Sequence, residues 1–311
     1  MPPDPQRPQT PPPAGQGTAL PATDDPLCAP AAAWFGELRD RLIAAFEAIE
    51  AEQGREQKPE QKKEQLGGDP PSRFVRTPWE RAGGGGGTMA VLRGRVLEKA
   101  GVNVSVVGGT FPEPFRQRIP GTSADGRFWA AGISVVVHPR SPLVPTAHMN
   151  TRMIVTSRRW FGGGADLTPP LRSDEDTRDF HAALAAACDA ADADYYARFK
   201  AWCDTYFFLA HRNEPRGVGG IFFDDLNSGD PDADFAFVRA TGLAFLDIYP
   251  RLIRRRMALP WTEEQKHAQR IKRGRYVEFN LLWDRGTRFG IETGGNPEAV
   301  LMSLPPEAAW P

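Results

Sequence analysis

Hydrophobic positions change their period several times along the chain. Between residues 31 and 52, Phe35, Leu38, Leu42, Phe46 and Ile49 recur at steps of three and four, the spacing of an amphipathic helix. Four later stretches, "FWAAGISVVVH", "HMNTRMIVTS", "GGIFFDD" and "GRYVEFNLLWD", carry β-branched and aromatic residues at strand length. Two helical regions, roughly 174–211 and 232–272, interrupt them. Strands before, between and after these helices, without βαβ alternation, predict an α+β fold. Its sheet is large and mostly antiparallel, packed by helices.

The ends of the pattern set the domain organisation. Residues 1–30 hold ten prolines and no apolar core of a signal peptide, so they are expected to be a disordered tail. Arg7 stands there against Asp4, Asp24 and Asp25, which also disfavours a transit peptide. Residues 31–311 are expected to form one catalytic domain, with polar, aperiodic 53–72 as a solvated linker or loop within it.

Composition then removes several classes. A formal net charge of −1 over 311 residues leaves no large basic footprint for nucleic acid. No apolar run reaches the roughly eighteen residues of a membrane span. Cys28, Cys188 and Cys203 are odd in number, far apart and outside any CxxC pair, which fits a reducing, cytoplasmic setting. "RAGGGGGTMAVL" lacks the GK[ST] of a phosphate loop and reads as a mobile loop beside a strand. The glycines of "GVGGIFFDD" precede a strand instead of following one, so they are no dinucleotide fingerprint.

Alternation along "HMNTRMIV" puts His148, Asn150, Arg152 and Ile154 on one face, and Met149, Thr151, Met153 and Val155 on the other. The polar face is either a solvated edge or an anion site, since Arg and Asn can clamp a carboxylate. Ser134, Val136 and His138 share a face of the preceding strand, so pairing of the two strands could bring His138 towards His148. By spacing alone the two histidines make a weak metal site. His181 reads as an exposed helical residue, and His211 as one near a helix C-terminus, where an imidazolium suits the dipole. "WFGGGADLTPP" is either a glycine turn capped by Asp166 or a close-approach surface that places Asp166 in a pocket wall. Asp224 and Asp225 form a non-specific cation candidate, and "RLIRRRM" reads as a solvated helix face.

Several ordered segments carry a resemblance: "GISVVVHPRSPLVPTAHMNTR", "WFGGGADLTP", "HRNEPRGVGGIFFDDLN", "GRYVEFNLLWDRGTRFGIETGG" and "LMSLPP". From about residue 73 to the end, with a weaker match at 31–52, the chain resembles the oxygen-dependent coproporphyrinogen III oxidases. The resemblance implies a flat antiparallel sheet sandwiched between helices, and a homodimer with 276–311 as its candidate interface. It implies oxidative decarboxylation of the ring A and B propionates of coproporphyrinogen III to vinyl groups, giving protoporphyrinogen IX on the haem pathway. Molecular oxygen would be the oxidant, with no flavin or nicotinamide. His148 and Asp166 would be catalytic. Ser134, Asn150, Thr151, Arg152, Gly294, Gly295 and Asn296 would line the substrate site. A divalent metal, if held, would sit on His138, His148, His181 and His211.

Three departures accompany it. Asn296 stands where the family usually has arginine, with Arg285 or Arg288 as possible substitutes. "VNVSVVGG" lacks a histidine common in the family, and the chain stops soon after "LPP". Asn296 and the short C-terminus motivate a second reading, a catalytically weakened porphyrinogen-binding relative. A metalloprotein built on the four histidines is the third.

Overall fold

The structure is a computed structural model that describes residues 25–56, 72–111, 113–117, 119–292 and 295–311. Most of the expected tail and of the expected linker, and Gly294, lie outside the described residues.

A seven-stranded antiparallel sheet organises the chain. Its strands are β1 (Val75–Glu80), β2 (Gly85–Leu92), β3 (Leu97–Thr110), β4 (Arg127–Pro139), β5 (Thr146–Val155) and β6 (Arg159–Thr168). A two-residue pair follows, β7 (Phe208–Leu209) with β8 (Glu214–Pro215), and β9 (Gly219–Leu226) closes the sheet. The order is β1-β2-β3-β4-β5-β6-β9, a meander until the last strand. The helices are α1 (Cys28–Glu56), α2 (Glu113–Arg116), α3 (Asp174–Asp189), α4 (Tyr195–Tyr206), α5 (Pro231–Arg256), α6 (Glu263–Leu282), α7 (Arg285–Glu292) and α8 (Pro297–Val300). The α+β expectation holds, with helices on both faces.

One face of the sheet is the core. Val102, Ile133, Val135, Met149, Met153 and Ala165 point there and pack with Phe35, Leu38, Leu42, Phe46 and Ile49 of α1 and with the apolar side of α5. The periodic residues of α1 are fully buried, and this helix begins at Cys28, three residues before the expected start. Caps fix the other helices. Ser173 accepts from the Asp176 backbone at the start of α3, and Asp230 followed by Pro231 opens α5.

The structure corrects four sequence expectations. "GRYVEFNLLWD" is the end of α6, not a strand. A capping box at Thr262 and Gln265 starts that helix, and its buried side is largely polar: Lys266, Gln269, Arg273 and Asn280. The helical period was therefore invisible to an apolar count. The first helical stretch breaks at α4, so His211 falls in a turn after β7. Gly85–Gly87 belong to β2 and the glycines of "WFGGGADL" to β6, so neither run is simply a loop. The arginines of "RLIRRRM" are not merely solvated. Arg255 bonds Asp176 and Asp179, Arg256 bonds Asp176, and Arg254 pairs with Glu52, tying α5 to α3 and α1.

A cleft on the polar face of the sheet

The second face of the sheet is polar and rich in glycine, because register aligns such residues across strands. Asn103, Ser134, Asn150 and Gly164 form one cross-strand row over β3, β4, β5 and β6. Val136, His148, Asp166 and Gly220 form the next, and Gly132, Arg152 and Gly162 the one on the other side. The predicted alternation of β5 is confirmed: Met149, Thr151 and Met153 are buried on the core face. The side chain of Thr151 is wholly buried on the core face, away from His148, Asn150 and Arg152.

The glycines let side chains lie flat on the sheet. A Cβ on Gly162 would stand 2.7 Å from Asp224 Oδ1 and 2.8 Å from Arg152 Nη2. Its absence makes room for the Arg152–Asp224 ion pair, at 2.7 Å. A register shift between β6 and β9 at Phe161–Gly163, with Asp225 at φ +56, brings Asp224 to this position. Bulges commonly re-aim a side chain in this way beside functional sites. Asp224 is thus the partner of Arg152.

Four residues along β5 from Arg152, or about 13 Å at strand rise, lies the buried end of the cleft. His148 Nδ1 is 2.9 Å from Asp166 Oδ1 on the neighbouring strand. Arg216 Nη2 donates to both oxygens of Asp166, at 2.8 and 2.7 Å. Asp166 and Arg216 are 2 % and 1 % exposed. The guanidinium sits among Phe207, Tyr276 and Phe279, 3.9, 4.7 and 4.6 Å from their ring centres, a cation–π enclosure. Burial pushes the Asp166 carboxyl up, but Arg216 and His148 outweigh it and hold it below its ordinary value. Burial likewise works against the Arg216 cation, and Asp166 overrides it.

These contacts fix the chemistry of His148. An ionised carboxylate only accepts, so Nδ1 of His148 carries the proton. Nε2 is the nitrogen left for the cleft, with no protein partner among the described residues. The arrangement is an oriented imidazole backed by a charge-balanced carboxylate. Asp166 retains acceptor capacity for one more N–H donor.

Arg216 was not singled out in the sequence. It lies 50 residues from Asp166, and its only local signal was a lone cation leading into the apolar strand "GGIFFDD". Among the other expected residues, Ser134 and Asn150 lie opposite each other on the polar face, and Asn150 Oδ1 is buried without a partner. Gly295 turns the chain back, its N–H donating to Gly290 O at 2.8 Å. Asn296 caps α8 by accepting from the Ala299 N–H at 3.2 Å. Arg285 lies 4.9 Å over the Tyr206 ring and 5.9 Å from that of Phe222, beside the row that holds Asn150.

The four histidines do not converge. His138 Nε2 lies 2.9 Å from the Ser303 carbonyl, and burial with Arg273 nearby lowers its pKa to about 3. His181, half-buried instead of exposed, bonds Tyr196 and the Val218 carbonyl. His211 bonds Glu278 and accepts from the Trp283 indole. Among the described residues, no group of three or more His, Cys, Asp and Glu is arranged around a common point for a metal ion. The expected four-histidine set therefore does not fit a single ion in this protomer. Also among the described residues, no helix is long and apolar enough to cross a membrane.

Comparison of the sequence with known proteins places the chain in one family. The family model described as coproporphyrinogen III oxidase matches residues 33–311. A protein of Rickettsia bellii (strain RML369-C) named oxygen-dependent coproporphyrinogen-III oxidase is 55% identical over 277 residues, 89% of this chain and 96% of the relative. Its namesake in Rickettsia akari (strain Hartford) is 54% identical over the same shares.

Proposed function

The chain belongs to the coproporphyrinogen III oxidase family, and we propose that its cleft carries out the oxygen-dependent oxidative decarboxylation of the ring A and B propionates of coproporphyrinogen III. The likeness at 55% identity, which covers 96% of the Rickettsia bellii relative, does not favour the weakened-relative reading.

One observation carries the site assignment. Arg152, a half-buried cation, and the buried His148–Asp166–Arg216 group share one face of β5 and β6. A tetracarboxylate ring laid on the glycine floor would meet a carboxylate anchor at one end and an N–H acceptor at the other. A strong ion pair on the reacting carboxylate would stabilise it against loss of CO2. The distance of about 13 Å therefore suits Arg152 to a propionate that is not reacting. Arg285, on its aromatic wall, supplies a second cation in place of the arginine that Asn296 replaces.

For each side chain, R–CH2–CH2–COOH and O2 give R–CH=CH2, CO2 and H2O2. Asp166 accepts a pyrrole N–H and draws electron density into the ring, which oxygen attacks. The resulting peroxide takes a hydrogen from the ring-attached side-chain carbon as the bond to the carboxylate breaks. Hydroperoxide leaves with a proton supplied through Nε2 of His148. Because Arg216 keeps Asp166 ionised, Asp166 acts as acceptor and orienter, and His148 is the group that moves protons. No step here uses a flavin, a nicotinamide or a metal.

The reading extends to a cytoplasmic homodimer. The buried free thiols of Cys188 and Cys203 support a reducing compartment. Leu281, Leu282, Trp283, Phe289 and Ile291 are exposed on adjoining parts of α6 and α7, an apolar surface of the kind that partners cover. Turnover is the test of function. Coproporphyrinogen III prepared without oxygen is given to the protein, and oxygen is then admitted. A three-carboxylate intermediate followed by protoporphyrinogen IX is expected, and tight binding with neither product would refute it.

A further inference from the structure

We propose that Asn103, oriented by Trp79, is a further carboxylate contact of this cleft and receives a propionate on the side of the sheet away from β6. The proposal rests on the substrate reading above. Asn103 lies opposite Ser134, which lies opposite Asn150. The three side chains form one row spanning about 10 Å across three strands.

Trp79 decides which end of the Asn103 amide faces the cleft. Its indole Nε1 donates to Asn103 Oδ1 at 3.1 Å. An indole has no acceptor, so the amide oxygen must face it and the NH2 group is the end left over. That group has no protein partner among the described residues. Two donors and no acceptor are what a carboxylate needs. The ring of Trp79 is itself fixed, because it lies across Gly87, where a Cβ would stand 2.6 Å from Cζ2. Gly87 faces both Trp79 and Ser105 by register. At the other end of the row, Asn150 Oδ1 is buried and unpartnered, an acceptor that calls for a donor and not for a carboxylate, so the carboxylate contact falls to Asn103. Asn103 is thus a binding residue, and Trp79 a positioning residue acting through it.

Substitution can separate binding from structure. In Asn103→Asp the side chain still accepts from Trp79, but the cleft-facing donor becomes a negative oxygen. In Asn103→Ala both are lost. KM for coproporphyrinogen III should rise about 10-fold in Asn103→Ala, the worth of a hydrogen bond to a charged group. It should rise further in Asn103→Asp, with kcat within about twofold. The excess in Asn103→Asp should shrink as salt is added. Trp79→Phe should raise KM by less than either. A structural role alone predicts the reverse order, with Asn103→Asp close to wild type, and that result overturns the proposal.

Equilibrium binding keeps the test separate from turnover and from the folding of any one variant. Asn103→Ala should lose affinity for coproporphyrin III, the oxidised tetracarboxylate, and not for its tetramethyl ester. Equal losses for both ligands would overturn the carboxylate contact. Absence of turnover by wild type, with acid-selective binding intact, would overturn the oxidase reading and leave the contact standing.

Discussion

Replacing Arg216 by methionine isolates the buried end of the cleft. Arg216 and Asp166 are both almost inaccessible to water, and Arg216 Nη2 donates to both oxygens of the carboxylate. Removing one member of such a pair typically costs about 3–5 kcal/mol, because the other is left as an uncompensated buried charge. Methionine fills much of the enclosure formed by Phe207, Tyr276 and Phe279, so the cavity contribution is small beside the electrostatic one. Urea unfolding at pH 7 should show a loss in that range. Adding Asp166→Asn should recover a large part of it, since the orphaned charge is then gone. The pH dependence should also differ. In wild type, Asp166 sits below its ordinary pKa, so its stabilising contribution is present above the unfolded value and lost on acidification. In Arg216→Met its folded pKa is raised, so the deficit should narrow from pH 7 to pH 5. A single-variant loss under about 1 kcal/mol, or a double variant no more stable than the single one, would refute the reasoning.

Arg152→Ala should raise KM by about 10- to 100-fold, the worth of a charge-assisted hydrogen bond, and change kcat little. Unchanged steady-state constants would remove Arg152 as an anchor. His138 is buried neutral, its pKa lowered to about 3, so between that value and the unfolded value near 6.5 only the unfolded state binds the proton. Stability should therefore fall on acidification from about pH 6.5 by up to about 1.4 kcal/mol per pH unit from this group. Histidine-138 exchanged for glutamine (His138→Gln) should flatten that slope, and an unaltered slope in urea titrations would contradict the burial argument. Exhaustive chelation should leave turnover intact, because the four histidines serve separate partners. Loss of turnover restored by an added divalent ion would contradict that reading.

The legible parts of the fold were those in which burial and period coincide. In β5 Ala147, Met149 and Met153 alternate with His148, Asn150 and Arg152 and face the core, so both the strand and its polar face could be read from spacing. α6 was not legible, because Lys266, Gln269, Arg273 and Asn280 are buried through polar contacts and leave no apolar stripe. The glycines of β2 and β6 were misleading for a related reason. A residue without a side chain has no face, and its role as a floor emerges only when Arg152 and Asp224 are seen to lie on it. Arg216 was missed, and Asp224 was named only as a non-specific cation candidate, because their partners, Asp166 and Arg152, are 50 and 72 residues away in sequence and meet them only in the folded sheet. Thr151 and the metal set show the opposite limit: a motif names neighbours in sequence, whereas strand alternation and separate hydrogen bonds send those side chains to different places.

The most direct measurement is a crystal structure with coproporphyrin III bound. The ring should lie on the glycine floor with one carboxylate on Arg152 and a ring nitrogen within hydrogen-bond reach of Asp166. A ring seated elsewhere, with Arg152 still paired only to Asp224 and Asp166 untouched, would contradict the cleft as the site of reaction.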